Sequence, residues 1–157
     1  VLNEDHGYVH RWEDFRWISG ARDVVRDFNR AGWLVFVVTN QSGIGRGYYT
    51  EEAMHLLHAR MAEALAEDGA RIDAFYHCPH HPDAKVEAYR HPDPPDRKPN
   101  PGMLLRAMAE WPVDVSRSVM VGDKDADVVA ATRAGVRGLL FRGGDLSEFL
   151  KAEAILA

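Results

Sequence analysis

Three short polar segments carry side chains whose types and spacing could bind a phosphate group. Residues 39–43 read Thr-Asn-Gln-Ser-Gly, Arg97-Lys98 is a cationic pair, and residues 122–125 read Gly-Asp-Lys-Asp. Taken singly, each has an ordinary explanation, as a strand-ending turn, a solvated pair in a proline-rich loop, or a helix cap. Together they supply a hydroxyl with backbone donors, a cation and a carboxylate, and this combination favours a phosphate site.

The first two segments suit the oxygens of a phosphoryl group. Phosphoryl transfer depends mainly on positioning and on neutralising the charge of those oxygens. We expect Thr39 and the Asn40 amide to donate hydrogen bonds to the phosphoryl group. Lys98 is expected to act on it as a compact point charge.

The carboxylates that follow Gly122 suit a hard cation. Asp123 is expected to bind Mg²⁺, which prefers oxygen ligands. Asp127 comes one helical turn after Asp123. We expect its carboxylate to hold either Lys124 or a metal-bound water.

Apolar runs that alternate with helical patterns predict the elements that position these segments. We predict strands at residues 33–39, 72–77, 118–121 and 136–141, and helices at residues 21–30, 51–66, 103–111, 125–134 and 146–155. This alternation predicts a three-layer, doubly wound, mainly parallel α/β sheet. The stretch between Gly47 and Cys78 is too short for a large cap domain. In such sheets ligands bind outside the carboxyl ends of the strands, where the first and third polar segments fall.

Composition narrows the class of protein. A chain of 157 residues is expected to form one domain, and its single cysteine excludes an internal disulfide framework. The net charge of -5 offers no broad basic surface for nucleic acid. The apolar runs are far shorter than the roughly 20 residues of a membrane span. We therefore expect a soluble, cytoplasmic, monomeric protein that binds neither nucleic acid nor membrane.

The three polar segments, in this order, resemble motifs two, three and four of the haloacid dehalogenase phosphatases. They read V-V-T-N-Q-S-G, R-K-P-N-P-G and V-G-D-K-D-A-D. Residues 2–9, 41–47 and 78–82 resemble the D-glycero-D-manno-heptose 1,7-bisphosphate phosphatase branch, whose close relative is histidinol phosphatase. The resemblance implies a Mg²⁺-dependent phosphatase that removes one phosphate from a sugar bisphosphate through an aspartyl-phosphate intermediate. Its product would feed synthesis of the heptose precursor of lipopolysaccharide or of other cell-surface glycans.

The same resemblance implies roles for individual residues. Thr39, Lys98 and Asp123 would be catalytic. Arg97 and the Gln41-Ser42 loop would contact the substrate, and Arg46 is a candidate partner for its second phosphate. The predicted substrate-binding set is Asn40, Gln41, Ser42, Arg46, Arg97 and Lys124.

The family's first motif, D-x-D-G-[TV], does not occur in this sequence. In the family it carries the nucleophile and the general acid and base, and the sequence opens on residues that match those directly after it. We expect the central strand of the sheet to be missing from this chain, which leaves two neighbouring strands with unpaired backbone groups. Two alternatives stay open: a phosphatase of histidinol phosphate or another small ester, and a catalytically inactive phosphate-binding module.

A zinc site is the second departure from the family, whose members often carry Cys-x-His followed by Cys-x-Cys. Cys78 and His80 supply the first pair, but His91 and Asp93 stand in the region of the second. A zinc loop with one thiolate and two prolines amid its ligands is unusual. We therefore expect proline stiffness, and not Zn²⁺, to order this loop.

Overall fold

Four short strands alternate with helices over the residues that the computed structural model describes, 1–156. The strands are β1 (Phe36–Asn40), β2 (Ala74–Cys78), β3 (Val119–Gly122) and β4 (Arg137–Leu140). The α-helices are α1 (Ala21–Arg30), α2 (Ser42–Gly45), α3 (Glu51–Glu67), α4 (Gly102–Glu110), α5 (Asp125–Arg133) and α6 (Leu146–Ala152). Single 3-10 turns lie at Trp12–Asp14, Glu87–Tyr89 and Val115–Arg117.

The strands pair in two parallel halves. β1 pairs with β2 from Phe36↔Ala74 to Asn40↔Cys78, and β3 pairs with β4 from Val119↔Arg137 onward. Helices α2 and α3 connect the first pair, and α5 connects the second. Parallel neighbours require such crossover connections. The predicted parallel α/β fold is therefore confirmed.

A cavity of about 1190 Å³ lies between the two halves and is lined by every residue of β1 and of β3. Successive side chains of a strand point to opposite faces of the sheet, so a cavity on one face would be lined by every second residue. A cavity lined by every residue of a strand must therefore lie along the edge of that strand. Among residues 1–156, the ladder partner of β1 is β2 and that of β3 is β4. We call the space between the facing edges of β1 and β3 the slot.

Helices α4 and α5 cover one face of the strands. Met103 of α4 is fully buried against Tyr76 and Cys78 of β2. Ala130 of α5 is fully buried in a cluster with Met120 of β3. The helices predicted at residues 103–111 and 125–134 thus face the sheet with their small and apolar residues.

Helices α1, α3 and α6 cover the opposite face. Phe28 of α1 and Leu150 of α6 pack in one cluster with Leu139 of β4 and Val121 of β3. Phe75 of β2 packs against a cluster that α3 contributes to. Because Val121 and Phe75 are the strand neighbours of Met120 and Tyr76, strand alternation places them on this second face.

Local chemistry sets the element boundaries. The Thr50 hydroxyl accepts a hydrogen bond from the Ala53 N–H, so it caps α3 as predicted. β1 begins three residues later than predicted, because the Val35 N–H donates to the Asp73 carboxylate at 2.8 Å. None of the helices within residues 1–156 combines the length and the apolarity needed to cross a membrane.

Candidate active site

The three polar segments meet at the carboxyl end of the slot. Thr39 is the penultimate residue of β1, Asp123 directly follows β3, and Lys98 lies in the loop before α4; all three residues line the same cavity. Residues 25 to 84 positions apart in sequence are thus brought to one edge of the sheet. The carboxyl end of parallel strands is where α/β proteins place their ligands.

Lys98 joins the two halves through a buried ion pair. Its Nζ lies 2.6 Å from Asp127 Oδ1 and donates to the Val38 carbonyl oxygen at 3.0 Å. The other carboxylate oxygen of Asp127 accepts the backbone N–H groups of Asp123 and Lys124, each at 3.1 Å. Burial would raise the pKa of Asp127, but the charge of Lys98 and these donors outweigh it and hold the pKa below its ordinary value.

The predicted contact of Asp127 with Lys124 is made through the backbone N–H of Lys124 and not through its ammonium group. Asp127 is the third residue of α5, so its side chain turns back to the N–H groups at the start of its own helix and to Lys98. The Lys124 side chain points elsewhere, with its Nζ 3.9 Å from Asp5 Oδ2. Gly122 permits this arrangement, because a Cβ at that position would collide with the Asp127 side chain.

The Asn40 side chain ties the loop after β1 to the loop before α4. Its Nδ2 donates to the Lys98 carbonyl oxygen at 3.1 Å, and its Oδ1 accepts the Lys98 N–H at 2.9 Å. These two bonds position Lys98 and depend on how the two loops approach each other. The hydrogen bond from the Asn40 amide to a phosphoryl group stays a prediction.

Thr39 is held by a hydrogen-bond chain. Gln41 Nε2 donates to Thr39 Oγ1 at 3.0 Å, and the Tyr49 hydroxyl donates to Gln41 Oε1. Ser42, at the first position of α2, lines the same cavity. Sequence reasoning did not single out Tyr49, since a tyrosine in a glycine-rich loop has no distinctive spacing.

The two predicted substrate arginines gather around His81. The Arg46 guanidinium lies 3.4 Å from His81 Nε2, and burial together with Arg97 and Arg46 lowers the pKa of His81. Within residues 1–156, Arg46 Nε and one terminal nitrogen of Arg97 are buried without a hydrogen-bond partner. Buried guanidinium donors without a partner are costly, and an anion bound there would satisfy them.

The zinc ligand candidates are not assembled. Cys78 is fully buried against Met103, and burial raises the pKa of its thiol, which disfavours the thiolate that binds metals. The His80 ring packs edge-on against Tyr89 with centroids 5.7 Å apart. Within the described part of the chain, no three His, Cys, Asp or Glu side chains are placed to hold a metal. The residues present therefore do not fit a zinc ion.

Comparison with known proteins identifies the family. Residues 96–154 match the HAD-hydrolase-like family model. The D-glycero-beta-D-manno-heptose-1,7-bisphosphate 7-phosphatase of Rhodopseudomonas palustris is 43% identical over 155 residues, 96% of this chain and 83% of that protein. The chain belongs to the haloacid dehalogenase-like phosphatases. The enzyme of the same name from Escherichia coli K12 is 44% identical over 136 residues, 87% of this chain and 71% of that protein.

Solved phosphatase structures share this fold. D,D-heptose 1,7-bisphosphate phosphatase from B. bronchiseptica, complexed with magnesium and phosphate, superposes with a TM-score of 0.81 at 31% identity, covering 97% of this chain and 81% of that one. An HAD-like phosphatase from Mesorhizobium loti superposes with a TM-score of 0.85 at 40% identity, covering 91% of this chain and 68% of that one. The resemblance read from the three motifs is therefore confirmed.

In this haloacid dehalogenase-like phosphatase, Asp123 remains the predicted Mg²⁺ ligand, and its carboxylate oxygens are of the type that Mg²⁺ prefers. Its side chain is exposed at the cavity rim, whereas the Asp127 carboxylate is engaged by Lys98. Mg²⁺ in phosphoryl-transfer sites is bound through one or two carboxylates together with waters and phosphate oxygens. The exposed carboxylate of Asp123 is available for such a role.

Proposed function

We propose that the protein is a Mg²⁺-dependent phosphatase that removes one phosphate from D-glycero-D-manno-heptose 1,7-bisphosphate, in synthesis of the heptose precursor of lipopolysaccharide. The observation that carries the substrate class is the presence of two cationic groups on one cavity. Lys98 beside Thr39 forms the first, and Arg46 with Arg97 forms the second. A sugar with a phosphate at each end would engage both groups at once.

The reacting phosphate is proposed to sit at the carboxyl end of the slot. Thr39 would donate a hydrogen bond to a phosphoryl oxygen, and Lys98 would neutralise part of its charge while Asp127 holds the ammonium in place. Asp123 would hold Mg²⁺, which supplies charge stabilisation to the phosphoryl oxygens when bound. Arg97 and Arg46 would orient the distal phosphate, with neutral His81 as a hydrogen-bond acceptor between them.

The aspartyl-phosphate route needs a carboxylate nucleophile between these groups. We propose that a strand of the D-x-D-G type pairs with the facing edges of β1 and β3, which would place its carboxylates beside Thr39 and Asp123. The slot supports this proposal, since it is lined by the edges of two parallel strands. An intact mass of the protein from its native gene above 17.6 kDa, by at least the mass of a strand, is expected; a mass equal to that of the 157 residues would contradict it.

The test of the activity is phosphate release from the heptose bisphosphate with Mg²⁺, measured beside histidinol phosphate. Preferred hydrolysis of the bisphosphate is expected. Asp123→Asn should lower kcat by about a hundredfold or more, since metal stabilisation of the transition state is worth several kcal/mol. Asp23→Asn, which changes an exposed carboxylate on α1, is the matched control.

Two outcomes would overturn parts of this proposal. Faster turnover of histidinol phosphate would move the substrate to the smaller ester. Phosphate binding without release from either compound would make the protein a catalytically inactive phosphate-binding module.

A further inference from the structure

The hydrogen bonds at Thr39 all run in one direction. The Tyr49 hydroxyl donates to Gln41 Oε1, and Gln41 Nε2 donates to Thr39 Oγ1 at 3.0 Å. A hydroxyl that accepts at its oxygen keeps its own hydrogen for a further acceptor. That acceptor is the Asn40 carbonyl oxygen at 3.3 Å, longer than the usual 2.7–2.8 Å of such bonds. The Thr39 hydrogen is thus weakly held and can turn toward a phosphoryl oxygen.

We propose that Tyr49 is a positioning residue that sets Thr39 as a phosphate donor by fixing the orientation of the Gln41 amide. This inference rests on the proposed function only for the identity of the phosphate compound. Hydrogen bonds in a chain polarise one another inside a protein, so donation from Tyr49 strengthens the Thr39 hydroxyl as a donor.

The Gln41 amide has two ends of opposite character, and this is why its orientation matters. With its oxygen toward Tyr49, its nitrogen donates to Thr39. With the amide turned over, its oxygen would face Thr39 and would accept the hydrogen that the phosphate needs. The phenol hydroxyl favours the first orientation, because its oxygen lone pair is delocalised into the ring and it donates to the amide oxygen better than it would accept from the amide nitrogen. Phenylalanine at this position would remove that preference without removing the ring.

The Tyr49 ring is firmly placed for this role. It stacks on His10 with centroids 4.6 Å apart and planes 6° from parallel. On another side it lies against Gly43, where a Cβ would collide with the ring. Burial raises the pKa of Tyr49 to about 12, so the phenol stays protonated and able to donate at physiological pH. Both neighbours remain in place in a Tyr49→Phe variant.

A double-mutant cycle tests the inference, with inorganic phosphate in the presence of Mg²⁺ as the ligand and titration calorimetry as the readout. Tyr49→Phe is expected to weaken phosphate binding by about three- to tenfold, the net worth of one hydrogen bond. In a Thr39→Val background, Tyr49→Phe should change the phosphate affinity by less than about twofold, because the Thr39 hydroxyl through which Tyr49 acts is absent. Gln41→Met is a second background in which Tyr49→Phe should be silent.

Tyr48→Phe is the matched control, since Tyr48 is an exposed neighbour whose ring packs edge-on against Tyr8. It should retain phosphate affinity. An equal loss from Tyr49→Phe in the wild-type and Thr39→Val backgrounds, or no loss in either, would overturn the inference. If the heptose bisphosphate is not hydrolysed but phosphate binds, the proposed function fails while the cycle still decides the role of Tyr49.

Discussion

Asp127→Ala is expected to lower the free energy of unfolding by about 3 to 5 kcal/mol, because it leaves a buried ammonium without its counter-ion. The side chains of Lys98 and Asp127 are 11% and 8% exposed, and their charged atoms lie 2.6 Å apart. After the change, Lys98 would retain its bond to the Val38 carbonyl oxygen. The N–H groups of Asp123 and Lys124 would lose their shared acceptor. The loss is a large share of the roughly 5 to 15 kcal/mol that stabilises a typical protein.

Urea denaturation followed by circular dichroism at pH 7 measures this loss. Asp125→Ala, an exposed carboxylate in the same first turn of α5, is the control and should cost at most about 1 kcal/mol. Adding Lys98→Met to Asp127→Ala removes the stranded charge and should recover part of the stability. A loss below about 1 kcal/mol for Asp127→Ala, or a deeper loss when Lys98→Met is added, would contradict this role of the ion pair.

The pH dependence of the same pair has a definite sign. The folded-state pKa of Asp127 is lowered from 3.8, so the unfolded chain takes up the proton first as the pH falls. The contribution of the pair is therefore complete above the ordinary pKa and is lost as the pH falls through the folded value. The stability difference between the wild type and Asp127→Asn should shrink below about pH 4.

Two further predictions concern the distal phosphate and acid stability. Arg97→Met should raise KM for the bisphosphate by about ten- to a hundredfold and affect a monophosphate ester much less, because a charged donor is lost at one end of the substrate only. Equal losses in steady-state kinetics on both substrates would contradict that role. The pKa of buried His58 is lowered to about 4 by burial and by His77 and His55, so stability should fall between pH 6.5 and 4 by up to about 3 kcal/mol. His58→Phe should flatten this fall in urea titrations at a series of pH values, and an unchanged slope would argue against it.

Within residues 1–156, local patterns were sufficient to predict the four strands and every α-helix except the short α2 (Ser42–Gly45). α1 occupies residues 21–30 as predicted, since its apolar face has a clear helical period and Arg30 precedes a turn. α3 follows Thr50 because capping is a local interaction. β1 is shorter than its apolar run because Asp73, which is remote in sequence, binds the backbone of Val35. A boundary set by a side chain this far away in sequence cannot be predicted from the residues of the strand itself.

The candidate site was predictable in its members but not in its contacts. Thr39, Lys98 and Asp123 stand at strand ends or before a helix, and topology alone brings them together. The reciprocal bonds of Asn40 with Lys98 depend on how two loops approach each other. The chain that starts at Tyr49 depends on a close approach that glycine permits at position 43.

The position of Lys98 has a mechanical consequence for the whole molecule. One ammonium group is bonded to a carbonyl oxygen of β1 in one half and to a carboxylate of α5 in the other. Any motion that separates the two halves must lengthen one of these two contacts. The position of the Lys98 ammonium relative to a bound ligand therefore depends on the distance between the halves. The affinity for an anion and the stability of the contact between the halves are thus thermodynamically linked. A bound anion should therefore slow amide hydrogen exchange in both β1 and β3. Substitutions in the packing between the halves, such as at Val38, which packs against the cluster that contains Met120, would then tune binding without touching the ligand.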